Sequence, residues 1–185
     1  MSLGLTQSSS AQQAKQAIIG MKGGVNFTNY QGNTDNLTAS VGFHGGMYLS
    51  ARFSHRFGLQ PEILYSSHKM QDLLTPGSHI SYGYLIFPVT AKIFLTRFLN
   101  LQVIPQIGKL VNAKLRIIAT PPLNGKFLFK SADFSIGGGL GMESATGLNV
   151  SLRYFYGCTD TFKPILELGK TTKNTLQVSV AYTFL

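Results

Sequence analysis

Asn174-Thr-Leu-Gln-Val-Ser-Val-Ala-Tyr-Thr-Phe-Leu185 is the stretch whose reading decides the fold. Leu176, Val178, Val180, Tyr182 and Phe184 fall on one face, and Gln177, Ser179, Ala181 and Thr183 on the other. A period of two held to the end of a chain marks a β-strand with one apolar and one small, polar face. A last strand of this kind suits a sheet that is shut by its final member, and a closed barrel removes the exposed edges that such a sheet would otherwise carry.

Working back from that strand, the same alternation recurs in seven earlier segments. They run from Ile18 to Asn29, Leu37 to Phe53, Leu59 to His68, Ile80 to Leu95, Phe98 to Leu110, Asp133 to Glu143, and Leu148 to Tyr156. Short connections surround Ser54-His55-Arg56, Thr96-Arg97 and Ser144-Ala145-Thr146-Gly147. Long ones fill Tyr30 to Asn36, Lys69 to His79, Val111 to Ala132, and Gly157 to Lys173. Long and short alternate throughout, as in an up-and-down transmembrane barrel with short periplasmic turns and long extracellular loops. An even strand count puts both termini on the periplasmic side. The expected architecture is all-β: an eight-stranded antiparallel up-and-down transmembrane β-barrel over residues 18–185, preceded by a polar tail over 1–17.

Composition agrees with strands in a membrane. Only 12% of the 185 residues are charged, against about 25% in ordinary soluble proteins, and no run approaches the roughly 18 apolar residues of a transmembrane helix. The segments match the roughly 9–11 residues that a tilted strand needs to cross a bilayer. Cys158 is alone, so no internal disulfide is expected. Met1 to Gln16 is rich in Ser and Gln, without a cationic start or an apolar core, and is not an intact signal peptide. An exported protein whose cleaved signal is absent from this sequence is the expectation, with the outer membrane as its destination.

The charged residues within the strands orient the barrel. Lys22, Arg52, Glu62, Lys92, Glu143 and Arg153 all fall on polar faces. A charge facing lipid near the midplane costs about 2–4 kcal/mol, so the polar faces point inward and the aromatic-rich apolar faces meet lipid. A soluble lipocalin-like ligand-binding barrel, the reverse arrangement, is one alternative. The six residues form an interior charge network that must pair and hydrogen-bond to be tolerated. An eight-stranded interior is just wide enough for side chains to fill, so the network reads as a paired polar filling, with a small diffusion pore as the other alternative.

Gly20-Met-Lys-Gly-Gly-Val-Asn26, Leu59-Gln-Pro-Glu-Ile-Leu-Tyr65, Tyr84-Leu-Ile-Phe-Pro-Val-Thr-Ala-Lys92, Gly138-Gly-Leu-Gly-Met-Glu143, Leu152-Arg-Tyr154 with Gly157, and the closing strand succeed one another in a characteristic order. In these pieces the chain resembles the outer-membrane β-barrel family of Bacteroidetes, the PorT-like or porin-family proteins, distant relatives of the OmpX/OmpA-type eight-stranded barrels. The resemblance spans the chain from Gly20 onward. It departs at Ile86, where the family often has an acid, and at Leu185, which follows the aromatic that usually ends the chain. What it implies is a membrane-anchored accessory protein with a link to protein secretion or gliding machinery.

Other chemistries find little footing. Gly137-Gly-Gly-Leu-Gly141 lacks the spacing and the strand-to-helix context of a phosphate loop, and its glycines instead let large inner side chains or arginines pass close to the wall. His44, His55, His68 and His79 show no metal-ligand spacing, so neither a metal nor a cofactor is expected. His44 and Ser50 share a face but lie roughly 20 Å apart along one strand, too far for a base and nucleophile, and no catalytic residue is expected.

The net charge of +9 comes without a basic helix or an RNA-binding motif, which argues against nucleic acid. Lipopolysaccharide phosphates, together with outer-membrane lipid, suit it better. From Lys109 to Lys130, across the third long connection, the chain carries Lys109, Lys114, Arg116, Lys126 and Lys130 and no acid. Its Leu115-Arg-Ile-Ile-Ala and Phe127-Leu-Phe arms flank the turn signal Pro121-Pro-Leu-Asn-Gly125, which predicts a hairpin rising above the bilayer. Its cations are candidates for contact with lipid headgroups or with another outer-membrane or surface protein.

Overall fold

The structure is a computed structural model that describes residues 17–31, 40–71, 79–116, 123–124, 130–159 and 172–184. The strands are β1 (Ala17–Gln31), β2 (Ser40–Arg52), β3 (Phe57–Gln71), β4 (His79–Phe94), β5 (Leu99–Arg116), β6 (Leu123–Asn124), β7 (Ala132–Glu143), β8 (Leu148–Gly157) and β9 (Thr172–Thr183). All pairings are antiparallel, in the order β4-β3-β2-β1-β9-β8-β7-β5-β6, and a further β4–β5 pairing closes the ring. β6 is a two-residue strand outside the ring, so the barrel itself has eight strands. Strand β9 seals it by pairing with β1 over Gly20↔Thr183 to Gln31↔Thr172 and with β8 over Leu148↔Tyr182 to Tyr156↔Asn174.

Side-chain direction follows the alternation in the sequence. On β9, Leu176, Val178, Val180 and Tyr182 are exposed on the outer wall, as is Phe184 just past its end, while Gln177 and Ser179 are buried within. The same division holds for β1, where Ile19, Met21, Val25 and Phe27 face out and Lys22, Asn26 and Thr28 are enclosed. The outer wall is a continuous apolar belt facing hydrocarbon, and the enclosed residues are mostly polar, the arrangement of a membrane barrel rather than of a soluble ligand carrier. Phe53, Phe57, Phe98, Tyr182 and Phe184 ring the lower rim at about half exposure, the level at which membrane barrels carry a girdle of aromatic residues.

The three short connections share one device. Ser54 Oγ accepts from the backbone N–H groups of Arg56 and Phe57, and Thr96 Oγ1 from those of Phe98 and Leu99. Ser144 Oγ accepts from the Thr146 N–H. A hydroxyl at the first turn position thus satisfies backbone donors that the ladder leaves behind. Gly147 completes the third turn with φ near +85°, where a Cβ would be strained.

Strands β3 and β5 run furthest beyond their sequence boundaries. Strand β3 continues past His68 to Gln71, and β5 past Leu110 to Arg116. The second extension follows a bulge: Tyr84 pairs with Leu110 but Gly83 with Asn112, so Val111 is an extra residue. The bulge inverts the alternation, which buries Ala113 and sends the Asn112 amide outward to the Tyr65 hydroxyl at 3.1 Å. A pattern of period two ends at such a point although the strand does not.

Candidate functional site

The buried polar groups converge on Glu62 of β3. Its Oε1 accepts from Gln60 Nε2 at 2.8 Å, Thr90 Oγ1 at 2.9 Å and Arg153 Nη2 at 2.8 Å. Its Oε2 accepts from Lys22 Nζ at 3.1 Å and Arg153 Nη1 at 3.2 Å. Arg153 meets the carboxylate with both terminal nitrogens, the fork geometry that makes such pairs strong. Desolvation of three charges is tolerable only because every lone pair of the carboxylate is engaged. Nearer the lower rim, Lys92 Nζ lies 2.6 Å from Glu143 Oε1 in a partly open pair.

Arg52 stands apart from this cluster, which corrects its placement in a six-membered interior network. It is exposed at the foot of β2, where its Nη2 donates to the His55 carbonyl at 3.0 Å and its guanidinium covers the Phe94 ring. The polar face of a strand leaves the lumen where the strand ends. A pair that the sequence reading passed over takes a place inside: Lys173 Nζ and Asp133 Oδ2 are 2.9 Å apart near the upper mouth, with Lys173 also over the Tyr84 ring. Lys173 lies in β9, whereas the alternation alone starts that strand at Asn174.

Above Glu62 the lumen carries a hydrogen-bonded chain. His44 Nδ1 lies 2.8 Å from Asn26 Oδ1, and His44 Nε2 lies 2.9 Å from Ser179 Oγ. Asn26 Nδ2 donates to Ser66 Oγ at 2.9 Å, which in turn lies 2.9 Å from His68 Nε2. Ser179, His44 and Asn26 have the connectivity of a hydroxyl, a base and an orienting group. However, Ser179 is 1% and His44 3% exposed. The adjoining cavity, lined by Asn26, Ser66 and Gln177, holds about 20 Å³, room for about one water. Among the described residues no group of three His, Cys, Asp or Glu side chains is gathered to hold a metal.

An apolar and aromatic layer lies in the upper lumen. Tyr30, Leu64, Tyr82, Tyr84, Ile86 and Ala113 pack together, with Tyr30 and Tyr82 hydrogen-bonded through their hydroxyls and Tyr82 stacked on His68. Ile86, where the resembling family often has an acid, belongs to this layer. The tyrosines therefore pack against an apolar neighbour instead of a carboxylate.

The cations of the third long connection spread over the upper rim. Lys109 is exposed on the outer wall directly above Ile107. Lys130 is half-buried, and its carbonyl accepts from the Tyr84 hydroxyl at 3.1 Å. Lys114 lies in β5 opposite Ser81 on one side and Asn124 on the other, and Arg116 lies opposite His79. Lys126 falls outside the described residues, as do Met1 to Gln16 and most of the long connections. Leu123 and Asn124 pair back onto Leu115 and Lys114, so the arm returns in register at Leu123. This corrects the expected turn over Pro121–Gly125: part of that stretch is already the descending strand.

The architecture has counterparts among solved structures. Neisserial surface protein A is 10% identical, with a TM-score of 0.63 over 90% of this chain and 97% of its own. Ail of Yersinia pestis, solved with the heparin analogue sucrose octasulfate, is 13% identical, with a TM-score of 0.57 over 91% of this chain and 99% of its own. At such identities the likeness concerns the fold alone. No curated protein sequence matches the chain. The family model described as outer membrane protein beta-barrel domain matches residues 1–184, so the chain belongs to that family and is a protein of the outer membrane.

Proposed function

We propose that this barrel is a sealed, non-enzymatic anchor that presents a cationic extracellular rim to a surface or secretion assembly. The observation that carries the reading is the cross-section at Glu62. There the side chains of Lys22, Glu62 and Arg153 meet in the middle of the lumen at 0–2% exposure. A path for ions would have to break a carboxylate held by five donors, and a substrate would have to reach Ser179, which is buried in the lumen above it. Binding at the rim is then the function left to the molecule.

The rim suits polyanions. Lys109 rises from the outer wall at the upper edge of the apolar belt, the level of lipopolysaccharide phosphates, and Lys114 and Arg116 continue along the same strand. Ail was solved with a sulfated polyanion, and closely spaced phosphates on lipopolysaccharide offer similar chemistry. The hairpin that β5 forms with β6 also invites strand addition by a partner segment. The resemblance to PorT-like proteins of Bacteroidetes makes a secretion or gliding assembly the partner to look for.

Planar-bilayer recording of the purified barrel is expected to give no steady openings, and steady openings would favour a pore. Pull-down from the host envelope is expected to weaken when Lys109, Lys114, Arg116, Lys126 and Lys130 are all replaced by serine. Capture that survives the five replacements counts against the electrostatic rim.

A further inference from the structure

The lower half of the outer wall carries a dent where two prolines fall on neighbouring strands. Pro61 of β3 and Pro88 of β4 supply no N–H to their neighbours, and the ladders beside them are interrupted. The β2–β3 pairs stop at Tyr48↔Glu62 and resume at Ala51↔Leu59, while the β3–β4 pairs stop at Pro61↔Val89 and resume at Leu64↔Ile86. Over this interruption lies a groove of about 350 Å³ walled by Met47, Leu49, Pro61, Ile63, Phe87 and Val89. It lies toward the short-turn end, in the periplasmic leaflet.

Directly below, the two turns that flank its foot are cationic. Phe53-Ser-His-Arg56 joins β2 to β3, and Leu95-Thr-Arg-Phe98 joins β4 to β5. Arg56 and Arg97 are exposed, neither turn contains an acid, and neither guanidinium has a carboxylate partner among the described residues. From Pro61 to Arg56 is five residues, roughly 17 Å along the strand, so groove and turns are within the span of one lipid. An apolar slot ending at uncompensated cations matches a molecule with an acyl chain and an anionic head.

We propose that this is a fixed site for one anionic glycerophospholipid of the periplasmic leaflet, with an acyl chain in the groove and the headgroup phosphate at Arg56 and Arg97. The bound lipid would cover the stretch of wall where the ladder is broken. The site lies at the opposite end of the barrel from the extracellular cations and is independent of them.

Native mass spectrometry of the barrel released from bilayers that hold phosphatidylglycerol and phosphatidylcholine in equal amounts tests it. One phosphatidylglycerol is expected to be retained in preference to phosphatidylcholine. Arg56→Ser with Arg97→Ser is expected to lower that preference by about fivefold per arginine. Ile63→Trp and Val89→Phe, which fill the slot from the lipid side, are expected to lose the retained lipid while keeping the heat-modifiable mobility of a folded barrel. Equal retention of the two lipids by the parent protein overturns the proposal. So does retention unchanged in the arginine variant or in both groove-filling variants.

Discussion

Arg153 Nε donates to Gln102 Oε1 at 2.7 Å although the two residues sit two strands apart, because the residue between them is Gly139. The relationship recurs around the barrel. His44 reaches Ser179 over Gly24, and Tyr48 reaches Thr183 over Gly20. In each case an inward-facing glycine leaves a gap in the wall of side chains, and its neighbours bridge it. A Cβ at Gly24 would come within 2.7 Å of the His44 ring, and one at Gly20 within 2.2 Å of the Tyr48 ring. Glycine on the inner face therefore selects which polar groups meet, which is a packing role and not a flexible one.

The aromatic version of the same contact gives a clean test. The three atoms nearest a Cβ at Gly137 all belong to the Phe155 ring, the closest at 2.6 Å. Gly137→Ala is expected to cost about 1–3 kcal/mol through displacement of that ring. Phe155→Leu in the same chain should recover much of the loss, because the obstruction is a side chain and not backbone. Urea unfolding of the four members of the cycle, refolded into vesicles, measures the coupling.

Glu62 should be the least replaceable residue in the lumen. Glu62→Gln leaves Lys22 and Arg153 buried without a counter-charge and is expected to destabilise by about 3–5 kcal/mol. Replacing all three together, by Lys22→Met, Glu62→Leu and Arg153→Met, is expected to cost far less, since no charge is then stranded. A triple variant as unstable as Glu62→Gln would mean that hydrogen-bond geometry, and not charge balance, dominates. Thermal loss of the compact gel mobility ranks the variants.

What was legible in the sequence is what depends on period two. The faces of β1 and β9, the inward direction of Glu62 and Arg153, and the number of barrel strands all follow from alternation. What was not legible depends on closure of the ring. Lys22 meets Glu62 over the inward Gly46 of β2, and Arg153 of β8 meets Glu62 across the lumen, so neither pairing is adjacent in the sheet. Arg52 carries the right parity yet lies below the lumen, because parity says nothing of depth. Lys173 and the extension of β5 were hidden by irregularity: one precedes the clean alternation of β9, and the other follows the Val111 bulge.

The third short turn makes a further prediction. Gly147→Ala places a Cβ on a residue with φ near +85° and within 2.7 Å of the Thr183 carbonyl. The left-handed conformation alone is expected to cost about 1–2 kcal/mol, and the contact adds to it. Because Thr183 N also donates to the Gly147 carbonyl at 2.9 Å, the strain falls on the closing strand. Amide exchange at Tyr182 and Thr183 is expected to accelerate more than at Val178.

Substitutions on the closing strand test the orientation on which the membrane assignment rests. Val178 lies mid-strand on the outer wall, and Tyr182 lies on the same face four residues lower, at the aromatic rim. An arginine facing lipid costs about 2–4 kcal/mol at the midplane and about 0–1 kcal/mol near an interface. Val178→Arg should therefore destabilise the barrel in lipid vesicles well beyond Tyr182→Arg. In a detergent micelle the difference should shrink, because a micelle deforms around a charge more readily than a bilayer. If the two substitutions cost the same in vesicles, the even-numbered face of β9 does not meet the hydrocarbon core.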